Sequence, residues 1–233
     1  MYTEKLLELN GYILKMSLLK AGSVGKSFEK DNRNRIKILK KEGLVPEKVY
    51  FVKQQHSKKV ISTDECLQQQ VIEADGIVTA DKNAAIAVTV ADCMPVFLHD
   101  KKNDVRAIVH SGWKGTGIVE EAIKKMKKLY GSEPSEITAL LGPSIRSCCY
   151  NVDENRALLF NKEWGADSAV KRDGQWFLSL DNANKNILKE NGVDKIICNE
   201  SCTCCNEKKY GSFRREGAEN YTLMFVISYL NQL

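Results

Sequence analysis

The sequence predicts an α/β (or α+β) domain with mixed β-sheets flanked by helices, and three observations carry that expectation. Apolar runs of strand length recur along the chain, amphipathic helical stretches stand between them, and no linker, low-complexity segment or repeat interrupts the series. Mixed order of this kind favours an α/β or α+β layout over a bundle or a pure sandwich, and residues 1–233 read as one domain.

In chain order, strands are expected at 49–52, 86–90, 96–98, 105–109, 137–141 and 195–198, each a short β-branched or aliphatic run. A helix is expected over 116–130, where Ile118, Val119, Ala122, Ile123, Met126 and Leu129 form a stripe opposite a lysine-rich, solvated face. A second helix starts near Asp181, taken as its N-cap, and runs through Ile187 and Leu188 to Gly192, which suits the C′ position.

Composition narrows the function. With 43% hydrophobic residues the chain can fill a core, and 35 basic against 30 acidic residues leave +5, too little and too dispersed for a nucleic-acid footprint. Anionic small molecules remain candidate partners. No apolar run reaches the roughly 18 residues of a membrane span, and polar Glu4, Glu8 and Asn10 argue against a signal peptide, so a cytoplasmic address without membrane partners is expected. Eight cysteines in a chain of this size then read as free thiols rather than a disulfide framework.

Polar residues inside apolar stretches mark the chemistry. Asp92 and Cys93 fall between two strand-like segments with Pro95 breaking the pattern, His110 ends a strand just before Ser111-Gly112-Trp113, and His56 follows another strand. Three good soft-metal ligands thus each follow a predicted strand, where a rigid sheet can present reactive groups. A hydrogen-bonded histidine and a core cysteine would fit the same positions, and spacing alone leaves both readings open. His99, followed by Asp100, Lys101 and Lys102, is expected at the surface. Asp75 and Asp92 could each orient a ligand histidine or simply serve a turn. Gly112 and Gly115 flank Trp113 in a bend whose following helix could meet an anion. Cys202 and Cys205 have CxxC spacing, but a ribbon needs a second pair, and the neighbours Cys148 and Cys149 seldom share one ion.

The motifs Gln54-Gln55-His56-Ser57, Ala74-Asp75-Gly76-Ile77-Val78-Thr79, Ala91-Asp92-Cys93-Met94-Pro95 and His110-Ser111-Gly112-Trp113-Lys114-Gly115 follow in order. Leu141-Gly142-Pro143-Ser144-Ile145, Cys148-Cys149-Tyr150, Cys202-Thr203 and Ser212-Phe213-Arg214-Arg215-Glu216-Gly217 complete the series. Together they resemble the bacterial family first called multicopper polyphenol oxidase or laccase, now associated with purine nucleoside phosphorylase and adenosine deaminase activities.

The resemblance implies that His56, Cys93 and His110 bind a metal, that the metal is zinc, and that they form the catalytic centre. Three protein ligands leave a fourth position for water or substrate, and zinc brings the pKa of a bound water to about 7, which suits deamination of adenosine to inosine. Phosphorolysis to base and ribose 1-phosphate needs cations for phosphate, and the resemblance implies Arg214 and Arg215, with Asn34-Arg35 at a helix start. Lys114 stands where the family usually has arginine, keeping the charge without the fork. Cysteines 148, 149, 202, 204 and 205 become cavity-wall or packing residues. Gln55, Ser57 and Met94 are mild departures, while residues 20–30 lack the family's usual glycine-rich segment.

Two other chemistries use the same residues. Two histidines and a cysteine with Met94 nearby are also a blue-copper set, although three histidines in the chain cannot build the trinuclear cluster of a multicopper polyphenol oxidase. Cys93 as nucleophile with His110 as base would make a metal-free hydrolase, and some members of the resembled family are described as amide-cleaving editing factors in peptidoglycan-precursor synthesis.

Overall fold

Alternation along the strands decides the layering of the computed structural model, which describes residues 1–26, 29, 31–66 and 72–231. Its strands are β1 (Thr3–Leu9), β2 (Tyr12–Ser17), β3 (Val49–Tyr50), β4 (Val60–Ser62), β5 (Gly76–Thr79), β6 (Ala85–Val90) and β7 (Met94–Asp100). They continue as β8 (Val105–Ser111), β9 (Ile137–Leu141), β10 (Asn151–Val152), β11 (Ala169–Arg172), β12 (Gln175–Leu178), β13 (Lys195–Cys198) and β14 (Met224–Leu230). The helices are α1 (Arg33–Lys41), α2 (Ile118–Tyr130), α3 (Glu154–Trp164), α4 (Leu180–Glu190) and the one-turn α5 (Phe213–Glu216).

Among the described residues one sheet has the order β1-β2-β14-β6-β3, a second the order β13-β9-β7-β8-β5-β4, and a small antiparallel sheet the order β10-β12-β11. In β6, Ile86, Val88 and Val90 point at the second sheet and meet Ile77, Phe97 and Ile108, while Ala85 and Ala87 point outward to Ile38 and Leu39 of α1. The second sheet repeats the device: Val96, Leu98, Ala107 and Val109 face α2 and α4, including Ile118, Ala122, Ile123 and Ile187. With apolar residues on both faces of each sheet the layers run helix, sheet, sheet, helix, the mixed α/β architecture that the element order predicts.

Several boundaries move. β3 stops at Tyr50, because Val52 leaves the ladder to enter the core and residues 51–57 turn toward the site. β7 extends back to Met94 with Pro95 inside it, tolerated near the strand start where the missing N–H costs little, while the Pro95 carbonyl accepts from Gly142 N at 2.9 Å. Ser179, not Asp181, caps α4: its hydroxyl accepts from the backbone N–H of Asn182, and Asp181 instead accepts from that hydroxyl. Gly192 does adopt positive φ, +81°, just after the helix.

His99 is not at the surface. It is 1% exposed, because it shares the inter-sheet parity of Phe97, against which its ring stacks, and its Nδ1 lies 3.3 Å from Asn10 Nδ2. Asp100 after it ends the strand and is itself buried, and only Lys101 and Lys102 belong to the exposed turn beyond. Among the described residues no helix is long and apolar enough to cross a membrane.

Candidate metal centre and its cavity

Register brings the expected ligands to one edge. β5 pairs with β8 so that Gly76 faces Val109, which sets Asp75 beside His110, and the His110 N–H donates to the Asp75 carbonyl at 2.7 Å. β7 pairs with β8 so that Met94 faces Ser111, which sets Cys93 beside Gly112. The bend that carries Asp92 and Cys93 is the passage from β6 in one sheet to β7 in the other, so the site lies where the chain changes sheet.

The third expected ligand, His56, arrives on a loop held by one buried carboxylate. Asp75 is 0% exposed. It accepts from Gln55 N at 3.0 Å, His56 N at 3.0 Å, Ser57 N at 2.8 Å and Ser57 Oγ at 2.7 Å, and it pairs with His110 Nδ1 at 2.9 Å. Burial would raise this carboxyl, but the bonds from His110 and Ser57 outweigh it and hold the pKa at about 2. His56 is carried at φ +58° and its ring meets His110 edge-on, with centroids 4.8 Å apart. Gln54 fixes the start of the loop by accepting from Thr89 N at 2.7 Å and donating to the Thr89 carbonyl at 2.8 Å.

His56, Cys93 and His110 place their ligand atoms within 4.8 Å of one another. Asp75 occupies Nδ1 of His110, which leaves Nε2 as the donor. Glycine is required opposite them: a Cβ on Gly112 would lie 2.7 Å from Cys93 Sγ and 3.4 Å from His56 Cδ2. Burial opposes ionisation of Cys93, yet the charge and hydrogen bond of His110, joined by His56, bring its thiol down to about 6. Burial likewise opposes protonation of His110, and Cys93 and Asp75 outweigh it, to about 9. Each group thus favours the charged form of the other, and a thiolate with two imidazoles is a donor set for one borderline-soft ion with a position left open.

That open side faces a cavity of about 560 Å³. Its wall carries Lys26, Lys114, Arg156 and Arg214 as cations and Trp113, Tyr150, Phe213 and Tyr221 as flat rings. Arg156 lies 4.5 Å over the Trp113 ring and Arg214 5.3 Å over Tyr150. Asp92, at φ +83°, turns its carboxylate away to accept from Thr203 Oγ1 at 2.6 Å, Ser212 Oγ at 2.9 Å and Arg214 N at 2.7 Å. It thus fastens the segment that carries Arg214 to the cavity.

The expected phosphate residues divide. Lys114 and Arg214 line the cavity. Arg215 turns inward and donates to the Thr203, Cys204 and Tyr210 carbonyls and to Glu216, and it is absent from the cavity wall. Arg35 is 1% exposed, packs over Phe51 at 4.4 Å and donates to the Gly25 and Lys26 carbonyls, so it holds the loop whose Lys26 side chain reaches the cavity. Of the divergent stretch 20–30, residues 27, 28 and 30 lie outside the described residues. Lys26 and Arg156 reach the cavity through tertiary placement that no local motif announces, whereas Trp113 and Tyr150 sit within quoted motifs.

A family model described as multi-copper polyphenol oxidoreductase laccase matches residues 17–228. A purine nucleoside phosphorylase of Clostridium acetobutylicum is 38% identical over 173 residues, covering 72% of each chain. Another of that name from Corynebacterium glutamicum is 37% identical over 193 residues, covering 80% of this chain and 76% of its own. A solved Neisseria meningitidis protein of the family DUF152 superposes with a TM-score of 0.86 at 25% identity, covering 99% of this chain and 100% of its own.

Proposed function

The chain belongs to the multi-copper polyphenol oxidoreductase laccase family, and from that membership and its relatives' names we propose that it is a metal-dependent purine nucleoside phosphorylase that also deaminates adenosine. One observation carries the reading: a Cys–His–His donor set opens into a cavity walled by four cations and four aromatic rings. A purine is flat and stacks on aromatic faces, whereas phosphate requires convergent cations, and this cavity offers both.

His56, Cys93 and His110 would hold the ion, which the donor set favours as zinc. Bound there, zinc supplies a Lewis acid and an acidified water, the means for replacing the amino group of adenosine. Lys114 and Arg214, joined by Lys26 and Arg156, would hold phosphate against the ribose anomeric carbon and neutralise its charge as the glycosidic bond breaks. Trp113 and Tyr150 would orient the base. Asp75 fixes the tautomer of His110 and the approach of His56, so the ligands stand in place before the ion arrives.

Copper redox chemistry is less well supported. His99 is packed between the sheets, which leaves two imidazoles for the site. Met94 offers no axial sulfur, because its side chain lies in the helix-side core with Asn184 Nδ2 3.7 Å from its Sδ. A second reading keeps Cys93 as nucleophile with His110 as base and Asp75 orienting it, supported by the depressed thiol pKa. The two part on one experiment. Protein purified without added metal is analysed for metal and assayed on adenosine with and without phosphate, then again after chelation. The proposal expects about one metal at this site, lost with Cys93→Ala, and adenine release that requires phosphate. Full activity in metal-free protein would instead establish the thiol mechanism.

A further inference from the structure

Four of the eight cysteines meet away from His56, Cys93 and His110. Cys148, Cys149, Cys202 and Cys205 place their sulfurs within 4.8 Å of one another, with Cys149 Sγ 3.3 Å and Cys148 Sγ 3.5 Å from Cys205 Sγ. All eight thiols are free. An ion bound to four sulfurs at about 2.3 Å in a tetrahedron sets them about 3.8 Å apart, the scale of this cluster. Neighbouring cysteines seldom share an ion because their side chains diverge. Here a tight turn, with Cys149 N and Tyr150 N both donating to the Arg146 carbonyl at 2.9 and 3.0 Å, folds both thiols toward Cys205.

The surroundings suit a charged cluster. Four thiolates around a divalent ion carry a net charge of −2, and each of the two loops that carry the cysteines, 142–150 and 199–206, is bound by guanidinium groups. Arg146 donates to the Asn199 carbonyl, Arg172 to Ser147, Arg214 to Cys149, and Arg215 to Thr203 and Cys204. Buried Cys202 also accepts from the Arg146 backbone N–H at 3.5 Å. The two loops touch directly, through Thr203 N donating to the Ser144 carbonyl at 3.0 Å, and they deliver Ile145 and Tyr150 to the cavity wall.

We propose that Cys148, Cys149, Cys202 and Cys205 bind one tetrahedral, thiophilic divalent ion of the zinc class, which staples these two loops into one wall of the cavity. Four protein ligands leave no position for substrate, so the site is structural, separate from the open three-ligand centre and independent of the reading given to it.

The test uses the full-length protein purified under reducing conditions, with metal counted by mass spectrometry and the zinc shell read by X-ray absorption. Cys93→Ala empties the three-ligand centre. It is expected to retain one zinc surrounded by four sulfurs at about 2.3 Å with no imidazole signal. Cys202→Ser/Cys205→Ser is expected to lose one equivalent and to retain zinc in a mixed sulfur and nitrogen shell, while Cys204→Ser loses none. A folded Cys93→Ala protein without metal, a nitrogen-containing shell in it, or an intact mass showing a disulfide among these cysteines would each overturn the proposal. The Cys93→Ala measurement leaves the cluster intact, so it decides the matter even where the double variant does not fold.

Discussion

Asp75→Asn is the most informative single change, because one side chain binds the loop of His56 and the ring of His110 together. Its two oxygens divide the bonds: Oδ1 takes His56 N and His110 Nδ1, while Oδ2 takes Gln55 N, Ser57 N and Ser57 Oγ. An amide replaces one oxygen by an NH2 that cannot accept, so at least two donors at a fully buried position lose their partner whichever way it turns. Each lost bond to a charged group costs about 1.5–3 kcal/mol, giving about 3–5 kcal/mol in folding stability after partial relaxation. Metal affinity should fall about 10- to 100-fold, the range for removing a carboxylate behind a ligand histidine. Urea melts of the metal-free protein read the first quantity, and competition with a chromophoric chelator reads the second. Ser57→Ala is the control: it removes the hydroxyl's bond to Asp75 and its acceptance from the exposed Lys59 N, costs about 1 kcal/mol and leaves metal affinity intact. Equal metal affinity for Asp75→Asn and the unaltered chain would refute the reasoning, since the carboxylate would then be a turn residue with no hold on the ligands.

Gly112→Ala should weaken metal binding about tenfold or more, measured by the same competition, because its Cβ would stand 2.7 Å from Cys93 Sγ. Asp92→Ala should destabilise and raise the phosphate KM by releasing the segment of Arg214, while Asp92→Gly should be more stable than Ala by about 1 kcal/mol in urea, since glycine adopts φ +83° freely. Lys114→Arg should lower the phosphate KM several-fold in a steady-state assay, the guanidinium fork adding a second parallel hydrogen bond where ammonium makes one. Glu42 tests acid stability away from the site: burial raises its pKa, but Lys15, Thr3 and Tyr229 outweigh that and lower it. Its folded pKa being depressed, the stability it adds is present above the unfolded value of about 4.3 and disappears as pH falls through the folded one. Urea melts from pH 6 downward should therefore show the gap between the native chain and Glu42→Gln closing in acid.

Where periodicity and chemistry agree, the sequence was legible. The stripe of α2 holds for Ile118, Val119, Ala122, Ile123 and Met126, which are buried, but not for Leu129, which is 45% exposed where the last turn runs past the sheet. His56, Cys93 and His110 could be singled out because each is a reactive residue at the end of an apolar run, and such ends gather at one edge of a sheet. His99 went the other way for a reason visible in the chain: it alternates with Phe97 and so belongs between the sheets, a signal masked by Asp100-Lys101-Lys102 immediately after it. Arg214 and Arg215 are neighbours with the same charge and both donate to loop carbonyls, yet a single turn of helix sets Arg214 in the cavity wall and turns Arg215 inward, away from it. No composition argument separates such a pair.

What stayed hidden depends on contacts between segments distant in sequence. Arg156 reaches the cavity only because α3 packs beside the turn of Trp113, and Lys26 only because Arg35 holds the carbonyls of its loop. The four-cysteine cluster joins residues more than fifty positions apart, as the separation of 57 between Cys148 and Cys205 records. Local spacing argued against it, because a CxxC pair without a second pair and two adjacent thiols each fall short of a metal motif. Each half is inadequate alone, and the strand β13 beside β9 brings them together by placing loop 199–206 against loop 142–150. The same parallel pairing thereby sets the cavity wall, so the geometry that presents Ile145 and Tyr150 to the cavity and the geometry that assembles the four thiols have one cause in the fold.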